Sequence, residues 1–262
     1  MEPNKTPLIH SLLAHPMDGA AIEEKSLATI DAEAPAHHFA PEEWAVVRRM
    51  IHSSADFAIA DCVRFSPGSV DAAKLALTSG APIYADSNMI RAGLSLARLR
   101  RISATYGQDR ICCHVADAEV AAQARSARLP RSLFAVRKAG QMLNGAIAIF
   151  GNAPVALLEL NRMVIEEGVR PALVIAMPVG FVHVVESKQE LMALDLAWIA
   201  TEGRRGGSTL AVAALHALCE LCNPQKGGSR DEEATQNRDR VSQGLQGPRD
   251  WTVALHSDGS QA

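Results

Sequence analysis

Four short, almost wholly apolar runs, at residues 111–115, 146–150, 172–176 and 198–201, are each followed by segments with helical spacing. Runs without an alternating polar face suit strands covered on both sides. The helical segments, at 117–127, 130–143, 153–167, 186–194 and 208–221, then act as the crossovers that parallel neighbours require, and such crossovers are right-handed almost without exception. The pattern predicts an α/β fold, with three α/β/α layers around a mainly parallel, doubly wound sheet. Two more strands are expected at 62–65 and 81–84, a helix at 69–78, and another running from an aspartate cap at Asp86 to Gly93. Upstream, 22–33 reads as an amphipathic helix, and Pro41-Glu42-Glu43-Trp44 opens a further one, with proline tolerated and acids favoured in the first turn.

A chain of 262 residues can bury a full core. The domain is expected at 20–222. Residues 1–19 hold three prolines and no clean period, which suits a partly disordered arm. From 223 to 262 the sequence has five glycines, many charges and few large apolar residues, a composition expected to remain disordered. With 26 basic against 29 acidic side chains and a net charge of −3, there is no basic excess to serve as a nucleic-acid footprint. Five cysteines at irregular spacing make no disulfide framework and fit a reducing cytoplasm. Cys219 and Cys222 form a C-x-x-C, but no second pair completes a zinc site, so they read as buried helix cysteines and no metal is expected. The apolar stretch at 172–185 is too short for a bilayer and is interrupted by Pro178, Gly180 and His183. No signal peptide is recognised at the N-terminus, and no membrane partner is expected.

The densest chemistry lies in 48–57, RRMIHSSADF. Arg49 and His52 are three apart and share a helix face, so a cation sits beside an imidazole that can move a proton. A satisfied helix-end histidine with a surface arginine is the competing reading. Ser26, mid-helix, reads locally as a hydroxyl facing solvent or bonding its own backbone. In doubly wound sheets ligands gather outside the carboxyl ends of the strands, which directs attention to three turns. They are 151–154 (GNAP), 177–181 (MPVGF) and 202–208 (EGRRGGS). The first places N–H groups of Gly151 and Asn152 at a helix start, and both of the first two are expected to let backbone approach a ligand. The third sets Arg204 and Arg205 among glycines before a Ser208 cap, the strongest local anion signal in the chain. It is neither a Walker motif nor G-x-G-x-x-G. Arg131-Ser132 and Glu186-Ser187-Lys188 begin other helices, either to hold a carboxylate or as plain helix-start charges. Together these features suggest an anionic, polycarboxylate ligand; no G-x-S-x-G, HExxH or paired-carboxylate arrangement competes.

Lined up in order, the segments IEEKSLATIDAE, RRMIHSSADF, FSPGSV, GAPIYADSNMIRAGL, PRSLFAVRKA, GNAPVALLEL, PALVIAMPVGFVHVVESK and GRRGGSTLAVAALHAL resemble the precorrin-8X methylmutase family of cobalamin biosynthesis, which includes the cobalt-precorrin-8 methylmutases. The resemblance implies an isomerase that moves a methyl group from C-11 to C-12 of a corrin-type ring, without a cofactor. It places the catalytic histidine on His52 and substrate contacts on Ser26 and Arg49, and it implies a homodimer with the site near the subunit interface. Arg131, Ser132, Asn152 and Arg204 complete the expected substrate-binding set for a tetrapyrrole. The chain departs from the family pattern at Pro130, Val155, Ala176 and the bulky 183–185. A non-catalytic corrinoid carrier on the same fold is the alternative, and a nucleotide-binding oxidoreductase lacks its fingerprint.

Overall fold

In a computed structural model, residues 7–223 are described. The segment expected to be a disordered tail lies outside the described residues save for Asn223. The expected arm contains a short helix, α1 (Ile9–Ala14), with no buried residue. α2 (Gly19–Glu33), α3 (Pro41–Ser54), β1 (Val63–Phe65), α4 (Ser69–Thr78) and β2 (Ile83–Ala85) follow. After them come α5 (Asn88–Gly93), α6 (Leu96–Ile102), β3 (Ile111–Cys112), α7 (Ala118–Ala127) and α8 (Arg131–Ala139). The chain continues through β4 (Ile147–Phe150), α9 (Pro154–Glu167), β5 (Leu173–Ala176), α10 (Val184–Met192), β6 (Trp198–Thr201) and α11 (Ser208–Leu221).

The six strands form one sheet in the order β1-β6-β5-β4-β2-β3, parallel throughout except where β1 pairs antiparallel with β6. Side chains alternate across it, as the strand period of two requires. Ile147, Ile149, Leu173, Ile175 and Ile199 point into one layer, and Ala148, Phe150, Val174, Ala176 and Ala200 into the other. All ten are fully buried, so the runs lack a polar face because neither side meets water. α3, α4, α5, α6 and α11 cover the first side, with α11 packed along α3 and α2 lying on α3. α8, α9 and α10 cover the second, and α7 packs on α8.

The antiparallel edge strand positions the site. Val63 sits opposite Thr201, so the segment entering β1 arrives at the carboxyl end of the parallel strands. The last turn of α3, which carries His52, is thereby brought to the edge where the 202–207 turn emerges.

Several local expectations are corrected. Asp86 does not cap α5; the Ser87 hydroxyl accepts the Ile90 N–H at 3.3 Å instead. Ser208 is the first residue of α11, and Gly207 precedes it as the cap without a side-chain bond. The helix expected at 130–143 breaks at Gly140, whose φ of 50° ends α8 before a 3-10 turn at Gly140–Leu143. The run at 111–115 pairs only over Ile111–Cys112, and α6 was not among the expected elements.

The glycine turns bring backbone against backbone. A Cβ on Gly206 would lie 2.3 Å from the Met177 carbonyl oxygen and 2.6 Å from that of Pro178, and one on Gly151 would lie 2.8 Å from Ser208 Cα. Rigid backbone atoms cannot yield as a side-chain tip can. Gly206→Ala should therefore cost on the order of 2 kcal/mol or more, read as a lowered Tm by calorimetry. An unchanged Tm would show that the turn adapts freely.

Candidate active site

Near the C-terminal end of α3, His52 Nδ1 lies 2.8 Å from the Ser26 hydroxyl of α2. Neither local alternative for Ser26 is what the structure shows, because the hydroxyl reaches across to the imidazole. Arg49, one turn back on the same face, is 8% exposed. Its Nη1 lies 2.8 Å from Glu23 Oε1 and 2.8 Å from Glu220 Oε1. Arg98 of α6 also contacts both carboxylates. Arg49 is thus not a surface charge; it is held by the chain's own acids, and its fixed positive charge stands beside the imidazole.

The 202–207 turn is held from below. Lys188 is fully buried, and its ammonium donates to Thr201 Oγ1 at 3.0 Å, the Gly203 carbonyl at 3.1 Å and the Arg205 carbonyl at 2.7 Å. All three donors of the ammonium are used, and burial lowers its pKa to about 8. Lys188 is therefore an internal brace, neither a carboxylate-holding side chain nor a plain helix-start charge. With the carbonyls drawn inward, both arginine side chains of the turn face out. Arg205 pairs with Asp56 at 2.9 Å, tying the turn to the segment just after α3. The Arg204 guanidinium lies 5.4 Å from the ring centroid of Phe181, itself 83% exposed, an arrangement suited to cation–π contact.

The 151–153 turn differs from expectation in its occupant. Asp86, 1% exposed, accepts the backbone N–H groups of Gly151 at 3.2 Å, Asn152 at 2.9 Å and Ala153 at 3.0 Å. The anion at this helix start is thus the chain's own carboxylate, whose pKa burial raises despite those three bonds. Only the exposed Asn152 side chain is left to meet a ligand.

Arg131 and Ser132 are not brought to His52. They begin α8 in the opposite layer of the sheet from α3. Lys138 near the other end of α8 pairs with Asp117, just before α7, at 2.8 Å, so the start of α8 points away from the carboxyl end of β3. Two cavities lie close by. One of about 550 Å³ is bordered by Cys62, Lys188, Glu202 and Arg205. The other, of about 330 Å³, is lined by His37, Phe39, Trp44 and Phe57. Neither includes His52 or Ser26.

Among the described residues no group of three or more His, Cys, Asp or Glu is arranged to hold a metal ion. Burial pushes the Cys219 thiol up to about 12, leaving it a protonated helix cysteine. No helix among those residues is long and apolar enough to cross a membrane. Sequence reasoning gave no role to Glu220, Arg98 or His216, which meet through the packing of α6 on α11.

Residues 21–221 match the precorrin-8X methylmutase family. The chain is 42% identical to the cobalt-precorrin-8 methylmutase of Leptospira interrogans, over 78% of this chain and 94% of that one. It is 37% identical to the precorrin-8X methylmutase of Pseudomonas aeruginosa, over 77% and 95% respectively. The crystal structure of a precorrin-8X methylmutase from Thermus thermophilus superposes with a TM-score of 0.72 at 47% identity, covering 79% of this chain and 98% of that one.

His216 of α11 accepts the Ser95 N–H at 3.0 Å. Burial, and then the Arg98 and Arg49 charges, lower its pKa from 6.5 to about 4. A histidine harder to protonate when folded contributes full stability above pH 6.5, and that contribution is lost as pH falls toward 4. His216→Gln, which keeps an acceptor for Ser95, should flatten this part of the stability–pH curve by on the order of 2 to 3 kcal/mol. Denaturant titrations between those limits check it, and curves of equal slope would contradict it.

Proposed function

As the chain belongs to the precorrin-8X methylmutase family, we propose that its Ser26–His52 pair serves the migration of a methyl group from C-11 to C-12 of precorrin-8X or cobalt-precorrin-8. The enzyme is an isomerase, an intramolecular transferase of cobalamin biosynthesis. The shift is formally a 1,5-sigmatropic rearrangement, governed by the conjugation of the ring, so one placed proton can start it. In the imidazolium form Nδ1–H donates to the Ser26 hydroxyl oxygen and Nε2–H is left for the substrate. His52 then gives the Nε2 proton to the macrocycle, becoming a neutral imidazole that keeps its proton on Nδ1, and takes a proton back on Nε2 after the methyl has moved, the two halves of general acid–base catalysis. The hydrogen bond between Ser26 and His52 is the observation that carries this reading. A corrinoid carrier has no use for an oriented proton donor.

Arg204, flanked by the exposed Phe181 ring, supplies a cation for a peripheral carboxylate, and the Asn152 amide a further polar contact. Arg49 is not free to clasp a carboxylate as the sequence suggested. We assign it instead the fixed charge next to the imidazole, in contact with substrate only at the edge of its guanidinium. Arg131 and Ser132 lie in the other layer, and from there they can serve His52 only in a second copy of the chain. The enzyme is therefore proposed to be a homodimer in which α8 of each copy completes the other's site. Five free cysteines suit a reducing compartment, and we place the enzyme in the cytoplasm.

His52→Ala should bind substrate within about tenfold of wild type while turnover falls by a factor on the order of 10² or more. Unchanged turnover would remove the histidine from the mechanism.

A second test addresses the shared site. Equal amounts of His52→Ala and Arg131→Ala protein, dissociated and reassembled together, should regain roughly a quarter of wild-type activity. Half of the dimers are then mixed, and each has one intact site of two. No regain over the separate variants would mean that Arg131 serves no partner's site.

A further inference from the structure

A helix lying on a protein core normally presents apolar residues at i, i+3, i+4, i+7 and i+8. In α2 those positions, on the side turned to α3, are Glu23, Ser26, Leu27, Ile30 and Asp31. Three of the five are polar, and Ile30 is the only buried residue of α2. Each polar residue has a partner on α3, and Glu23 also meets Arg98 of α6. Glu23 Oε1 lies 2.8 Å from Arg49 Nη1, and Ser26 Oγ lies 2.8 Å from His52 Nδ1. Asp31 accepts from Trp44 Nε1 at 2.8 Å and also from Arg48.

From this we propose that Glu23 and Asp31 are positioning residues that latch α2 onto α3 on either side of the Ser26–His52 contact. The inference rests on the reading of that pair as catalytic. Little apolar surface holds α2 down, so its distance from α3 is set by the polar contacts. The Asp31 and Arg48 side chains keep 41% and 29% of their exposure, and pairs so open to water hold weakly and are screened by salt. Glu23 bonds to a more deeply buried arginine and makes the firmer end of the latch. Loss of either end lets α2 shift, and a shift of an ångström removes the Ser26 bond, whose geometry is steep in distance. His52 then stays in place on α3 without the partner that orients its ring.

The test is turnover of full-length Asp31→Asn, Asp31→Glu and Glu23→Gln, with Asp31→Asn also made in a Ser26→Ala background. Asp31→Asn should lower kcat by a factor of about 3 to 10 with KM within about twofold, and less strongly at high salt, where the wild-type pair is itself screened. Asp31→Glu should recover most of the loss. In the Ser26→Ala background the same substitution should change kcat by less than about twofold, because the bond it serves is already gone. If Glu23→Gln fails to fold, the Asp31 series decides alone, since its pair is half open to solvent. An unchanged kcat in Asp31→Asn, or an equal loss with and without Ser26, overturns the latch. Full turnover in both Ser26→Ala and His52→Ala would instead overturn the catalytic pair, and the latch with it.

Discussion

At the carboxyl end of the sheet, two buried ions of the chain itself close the turns. Asp86 collects the N–H groups of 151–153, and Lys188 collects the carbonyls of Gly203 and Arg205. Without them, backbone donors and acceptors at the ends of buried strands would be left unpaired, at a cost of about 1 to 3 kcal/mol for each group. Removing one ion alone would be worse, because its partners have no water to turn to. With them, the turns are fixed closely enough for Gly206 to rest on Met177 and Gly151 on Ser208. The loops that carry Arg204 and Asn152 are therefore rigid supports, and the remaining architecture is arranged around them.

This internal closure moves the chemistry outward. Ligands of doubly wound folds commonly sit on the turn backbone itself, but here much of that backbone is already engaged. What the turns present is side chains: Arg204 beside Phe181, Asn152, and Arg205 bound to Asp56. The imidazole is carried near the end of α3, where Asp56 of the following segment is tied to the same turn through Arg205, and it is oriented by Ser26 of α2. A planar, carboxylate-bearing macrocycle suits such a surface better than a narrow cleft would.

Much of the framework was legible because the strongest signals were local. The expected bounds of α4, β6 and α11 coincide with the observed ones, since glycines and a continuous apolar period agree there. Arg49 and His52 were legible as neighbours from their spacing. Their partners were not, because Glu23 and Glu220 reach Arg49 from helices at opposite ends of the chain, and no local pattern encodes that meeting. Asp86 was misread for a related reason: an aspartate before a helix looks like a cap whether its carboxylate turns to its own helix or to the start of α9. Ser26 could not be interpreted from its own surroundings and needed the family resemblance. The polar stripe 23, 26, 27, 30, 31 was nevertheless visible in the sequence, and three polar residues on a core-facing stripe are a sign of partners elsewhere.

The central claim is that the Ser26 hydroxyl accepts from His52 Nδ1–H and thereby leaves Nε2 as the nitrogen that gives and retakes the proton. Nitrogen-15 NMR of the histidine side chains, with His52 assigned by its loss in His52→Gln, measures this directly. In its neutral form the His52 ring is predicted to keep its proton on Nδ1, with an Nδ1–H resonance that moves when Ser26 is replaced by alanine. A neutral ring protonated on Nε2, or a His52 signal indifferent to the loss of Ser26, would contradict it.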